Sequence, residues 1–110
     1  MRQSAGSRRA AEELRGKIAT VLLTEISDPR LESVTVTGVE VSADRAFADV
    51  WVSAPAERYA EVTAGLESAK GRIRSLVARS LGWRVMPELR FCIDGTVDEA
   101  ERIATLLGRQ

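Results

Sequence analysis

Between Lys70 and Arg84 the chain carries five cations, Lys70, Arg72, Arg74, Arg79 and Arg84, and no acid. Ammonium and guanidinium groups gathered without counter-charges suit the recognition of phosphate, above all along a nucleic-acid backbone. Arg30 and Arg45, each at a turn, extend the set of candidates, although a structural hydrogen bond would equally explain either. A further basic cluster, Arg2, Arg8, Arg9, Arg15 and Lys17, opens the chain, whereas Cys92 to Glu101 holds four acids and no cation. The net charge is zero over 110 residues. Such asymmetry within a neutral chain predicts a polarised surface, with solvated helix faces as the plain alternative.

Gly71 stands among these cations, inside an apolar pattern of helical spacing. Tyr59, Val62, Leu66 and Ala69 precede it; Ile73, Leu76, Val77 and Leu81 follow. Glycine costs about 1 kcal/mol against alanine inside a helix. In one reading Gly71 ends a first helix in left-handed geometry, and the N–H groups opening a second helix attract phosphate beside Lys70, Arg72 and Arg74. In the other, it is an ordinary corner between two helices. The residues alone leave both open.

Other chemistry is thinly represented. The chain has no histidine, which removes the commonest general base and metal ligand, and its single Cys92 cannot form an internal disulfide. Asp28, Asp44 and Asp94 sit at turn-like positions, where aspartate serves the local backbone. No glycine pattern for a phosphate loop or a dinucleotide follows a strand. The expectation is a binding protein rather than an enzyme, with no metal and no cofactor. The basic, polar first ten residues lack the apolar run of a secretory signal, and every apolar stretch is too short to span a bilayer, so the cytoplasm is expected.

The elements that must position the cations follow from periodicity. Leu14, Ile18, Val21, Leu22 and Ile26 mark a helix over 7–26, stopped at Asp28-Pro29. An alternating strand over 34–42 slips phase at Gly38, where a bulge would let Val34, Val36, Val39 and Val41 all reach a core. A turn at Ala43-Asp44-Arg45 leads to a strand over 46–53, with Ala46, Ala48, Val50 and Val52 inward and Phe47, Asp49 and Trp51 outward. Helices over 57–70 and 72–81, a strand over 88–94 and a helix over 97–107, capped by Thr96, complete the order α-β-β-α-α-β-α. This is an α+β fold: a three-stranded sheet with helices on one face. Residues 1–110 form one domain in this reading, 1–6 being a flexible basic N-terminus. Ile18, Leu22, Val50, Val52, Leu66, Ile73, Leu76, Val77, Leu89 and Phe91 should lie inside. Trp51 is expected to pack, with Trp83 the more exposed of the two.

The α-β-β-α-α-β order is that of a type II KH domain, an RNA-binding fold whose GxxG loop clamps a nucleic-acid backbone. Here Ala69-Lys70-Gly71 occupies that junction, and the substitution resembles the helix kink of the ribosome-binding factor A family. The likeness extends to Asp28-Pro29-Arg30-Leu31, Val34-Thr35-Val36-Thr37, Val39-Glu40-Val41-Ser42 with Asp44, and Ala48, Val50, Val52-Ser53. It continues through Ile73-Arg74-Ser75-Leu76, Arg84, Pro87-Glu88-Leu89, Phe91 and Asp94. The resemblance implies a KH-like, non-enzymatic bacterial assembly factor, monomeric when free. It would bind the small (30S) ribosomal subunit and its 16S rRNA and assist late rRNA processing near the decoding region, with no cofactor. The competing expectation is a protein-binding or dimerising module that uses Trp51, Trp83 and the acidic end of the chain.

Overall fold

A computed structural model describes residues 5–94, with side chains from residue 8. The first helix, α1 (Ala5–Thr24), buries Ala10, Ala11, Leu14, Ile18 and Val21 along one stripe. It ends at Thr24, before Asp28-Pro29, and a short 3-10 turn (Pro29–Leu31) then inserts Leu31 into the core. Asp28 caps that turn by accepting the Arg30 backbone N–H at 3.0 Å. Strands β1 (Thr35–Val41) and β2 (Phe47–Ser53) form an antiparallel hairpin. A long helix, α2 (Tyr59–Leu81), then returns the chain to β3 (Glu88–Ile93), which pairs parallel with β2.

The mixed sheet has the order β1-β2-β3. As the central strand, β2 has an inner face of Ala48, Val50 and Val52 that is completely buried. Both helices pack on that face, α1 against β1 and α2 against β3, and touch each other. The phase slip in β1 is a bulge: the register shifts between Val36 and Gly38, so that Val36 pairs with Val52 and Val39 with Val50. The extra residue keeps valines of both parities on the core side. The expected interior is observed, with Ile18, Val50, Val52, Leu66, Ile73, Val77 and Leu89 buried and Leu22, Leu76 and Phe91 packed half-buried against them.

The expected pair of helices over 57–70 and 72–81 is instead one unbroken helix through Gly71. The reason is the phase of its apolar stripe. Leu66 and Ile73 are seven residues apart, about 700° of rotation, so the stripe of Val62, Leu66, Ile73 and Val77 continues straight across the glycine. Burying each of these side chains contributes about 1.5–3 kcal/mol, which outweighs the ~1 kcal/mol that one glycine costs. The left-handed residue lies eleven positions later. Gly82 has φ 64° and donates its N–H to the Ala78 carbonyl at 3.0 Å, closing α2. The helix expected over 97–107 lies outside the described residues.

Gly65 shows where α2 does require a glycine. It is buried beneath the 3-10 turn, and a Cβ there would stand 3.0 Å from Leu31 Cδ2 and 3.2 Å from Arg30 Cβ. That contact lets the helix lie directly on the turn.

Candidate nucleic-acid interface

The stripe of α2 opposite the core consists of Ala64, Ser68, Gly71 and Ser75, all exposed. Arg72 and Arg79 flank it on one side. Seven residues apart, they stand about 20° apart around the axis and about 10 Å apart along it. Both are exposed and, among the described residues, neither has a hydrogen bond or ion pair. The same is true of Arg84, in the loop between Gly82 and β3. These three guanidinium groups keep all their donors available for an incoming anion.

The other sequence candidates are engaged within the protein. Arg74 lies about 160° around the helix from Arg72. Its Nε donates to the Pro87 carbonyl at 3.0 Å and its Nη2 to the Met86 carbonyl at 2.7 Å, so it fastens α2 to the approach of β3. Lys70 pairs with Glu67, one turn earlier, at 3.2 Å. Arg30 grips Asp28 with two nitrogens, at 2.8 Å from Nη2 and 3.1 Å from Nε, and that hydrogen-bonded pairing holds the Asp28 carboxyl below its usual range. Arg45, the one non-glycine residue with positive φ among the described residues, lies over the Trp83 ring at 5.8 Å. Its turn is braced by Asp44, whose carboxylate accepts the Ala46 N–H at 3.0 Å and the Ser42 hydroxyl at 2.7 Å.

The fold therefore divides the candidates. Arg72, Arg79 and Arg84 point outward along the second half of α2 and its exit, and Arg45 joins that end through Trp83 and the Glu88 N–H to Ala46 carbonyl bond of 2.9 Å. Arg30 is elsewhere, against the first half of α2 beside Gly65. On α1, Arg15 is tied to Glu12 at 2.7 Å, while Arg8 and Arg9 are exposed. Gly71, with Ala69 and Lys70, forms no break, but it sits in the small-residue stripe beside Arg72. A Cβ there would meet nothing within 4 Å.

Both tryptophans are half-buried: Trp83 packs against the core, and Trp51 stands on the sheet face that bears no helix among the described residues. Sequence reading missed Gly65 and Gly82. A glycine at a buried helical position and one directly after the last apolar helical residue were the available signals. Cys92 is half-buried on β3, where burial and then Asp49 push its thiol up, away from the reactive thiolate. Among the described residues, no cluster of His, Cys, Asp and Glu could hold a metal ion, and no helix is long and apolar enough to cross a membrane.

A profile of ribosome-binding factor A matches residues 6–107. The chain belongs to the ribosome-binding factor A family. Among family members, it is 41% identical to the protein of Shewanella loihica over 98% of this chain and 79% of that one. It is 43% identical to that of Methylobacillus flagellatus over 92% of this chain and 81% of that one. The fold agrees with the crystal structure of ribosome-binding factor A from Thermus thermophilus, with a TM-score of 0.74 at 28% identity, covering 80% of this chain and 94% of that one. It is similar also to the solution structure of a Thermotoga maritima putative ribosome-binding factor A, with a TM-score of 0.71 at 33% identity, covering 84% and 90%. A third neighbour is a homology model of T. thermophilus ribosome-binding factor A as fitted into the cryo-EM map of a complex with 30S. Its TM-score is 0.65 at 30% identity, covering 76% of this chain and 90% of that one.

Proposed function

We propose that this chain binds the bacterial small ribosomal subunit through its 16S rRNA and assists late rRNA processing and subunit maturation, acting by binding and not by catalysis. The observation that carries this reading is the likeness to a family member placed in a 30S complex. Its physical counterpart is the outer surface of α2. Arg72 and Arg79 are free of internal partners, and Ser68, Gly71 and Ser75 beside them leave the helix backbone open to close approach. Arg84 and Arg45 continue the positive surface at the same end. Phosphate contacts of this kind need no pocket and no net positive charge, only cations whose donors are unspent. The protein acts as a monomer in the cytoplasm, and its substrate is RNA structure rather than a small molecule.

Co-sedimentation with purified small subunits at two salt concentrations tests the reading. Three phosphate contacts from Arg72, Arg79 and Arg84 give a slope of about 2–3 log units of affinity per log unit of salt. Arg72→Glu with Arg79→Glu should abolish co-sedimentation at moderate salt while the melting temperature stays within a few degrees. Retained, salt-insensitive binding by that variant would overturn the assignment to α2.

A further inference from the structure

The sheet face that bears no helix among the described residues carries the opposite charge and a different chemistry. Phe47, Asp49 and Trp51 of β2 point there, together with Glu40 of β1 and Glu88, Arg90 and Cys92 of β3, as the pairing register requires. Among the described strand residues that point there, Glu40, Asp49 and Glu88 are acidic and Arg90 is the cation. That cation is already used: its guanidinium lies over the Phe47 ring at 4.5 Å, and its Nε donates to Asp49 at 2.8 Å. The face therefore holds one complete guanidinium site, an aromatic ring plus a carboxylate, filled from within the chain.

Beside it lies a second pairing of the same kind without its cation. Trp51 is directly opposite Gly38, where a Cβ would meet nothing within 4 Å, so the residue facing the indole on β1 sets no side chain against it. Glu40 is diagonal to Trp51 and directly opposite Asp49. Among the described residues, Glu40 has no ion pair and no cation lies over Trp51. Asp49 is already neutralised by Arg90, so Glu40 is the carboxylate left to receive a cation beside Trp51.

We propose that this face is a docking surface for an extended, arginine-bearing segment of a basic protein, with one arginine stacked on Trp51 and paired with Glu40. Charge complementarity selects this occupant. The excess of carboxylates repels a phosphate backbone, and the guanidinium fits a ring and a carboxylate together, as Arg90 does next door. The inference stands independently of the RNA reading, which concerns the opposite side of the molecule. On a ribosomal subunit the two faces would let one small chain bridge RNA and a basic protein tail.

The test is NMR shift mapping of the full chain with a ten-residue peptide alternating arginine and threonine. The comparison peptides carry lysine or glutamate in place of arginine. The arginine peptide should shift residues 38–40, 49–51 and 90–92, the lysine peptide should bind more weakly, and the glutamate peptide should not bind. Glu40→Gln, a change at an exposed position, should weaken binding about three- to fivefold, the effect of one exposed ion pair, without lowering the melting temperature. Trp51→Leu should do the same or more. Shifts elsewhere, or equal binding by Glu40→Gln, would overturn the proposal. So would the same shifts produced by a single-stranded oligonucleotide, which would make the face a nucleic-acid surface. A spin label on Gln110→Cys, in a Cys92→Ser background, supplies the last control. If it broadens the Trp51 indole signal without peptide, the chain's own C-terminal segment is the occupant, and the proposal fails.

Discussion

Replacing Gly71 by alanine separates a helix that runs straight through this position from one that depends on a break there. Gly71 lies inside α2 with helical geometry, is exposed, and would present its new methyl group to open space. Nothing in the protein therefore opposes the change, and the full helix-propensity difference of about 1 kcal/mol should appear as stability. Unfolding entropy of about 2.1 cal/mol/K per residue gives roughly 230 cal/mol/K for a chain of this length, so the gain corresponds to about 4 °C in melting temperature. Circular dichroism melts of the two proteins measure it directly. A melting temperature that falls or does not move would refute the reasoning, because it would mean that the backbone at Gly71 needs a conformation alanine cannot adopt. Co-sedimentation of the same variant gives an independent readout. The new methyl group would stand in the stripe beside Arg72, so subunit affinity should drop even as stability rises. Unchanged affinity would remove Gly71 from the interface and leave the helix argument intact.

Gly65→Ala should behave oppositely: its Cβ would press on Leu31 and Arg30 at 3.0–3.3 Å, and overpacking of about 1–3 kcal/mol exceeds the propensity gain, so the melting temperature should fall. Arg74→Ala should cost about 1.5 kcal/mol of stability, the lower end for hydrogen bonds from a charged donor, with little change in the salt slope of subunit binding. Asp28 and Asp44 have carboxyls held below the usual aspartate range, Asp28 chiefly by the Arg30 side chain and Asp44 chiefly by the Ala46 N–H. Their folded-state preference for the charged form stabilises the protein above the unfolded aspartate pKa and is lost as the pH falls through the folded values. Urea midpoints should therefore decline between pH 5 and pH 2, and Asp28→Asn with Asp44→Asn should flatten that decline.

Much of the architecture was legible in the residues because it rests on local periodicity. The stripe of α1, the alternation of β2 and the phase slip at Gly38 each state which side chains must be inside, and burial follows. The blocks from Asp28 to Asp94 were specific enough to indicate the family. The helix break was misread because a glycine's cost is visible in sequence, while the burial that outweighs it belongs to the packed helix. The unbroken phase from Leu66 to Ile73 was the signal against a break.

What the sequence could not determine was the use of each cation. Arg72 and Arg74 are two residues apart and chemically identical, yet one is free and the other is spent on the Met86 and Pro87 carbonyls. Arg30 and Arg45 both lie in turns, yet one grips a carboxylate and the other lies over an indole brought from Trp83, far along the chain. Composition fixes how many charges exist, and periodicity fixes which way a helix presents them. Whether a guanidinium meets water, a carbonyl or a ring depends on which loop the fold brings beside it, and that is a property of tertiary structure alone.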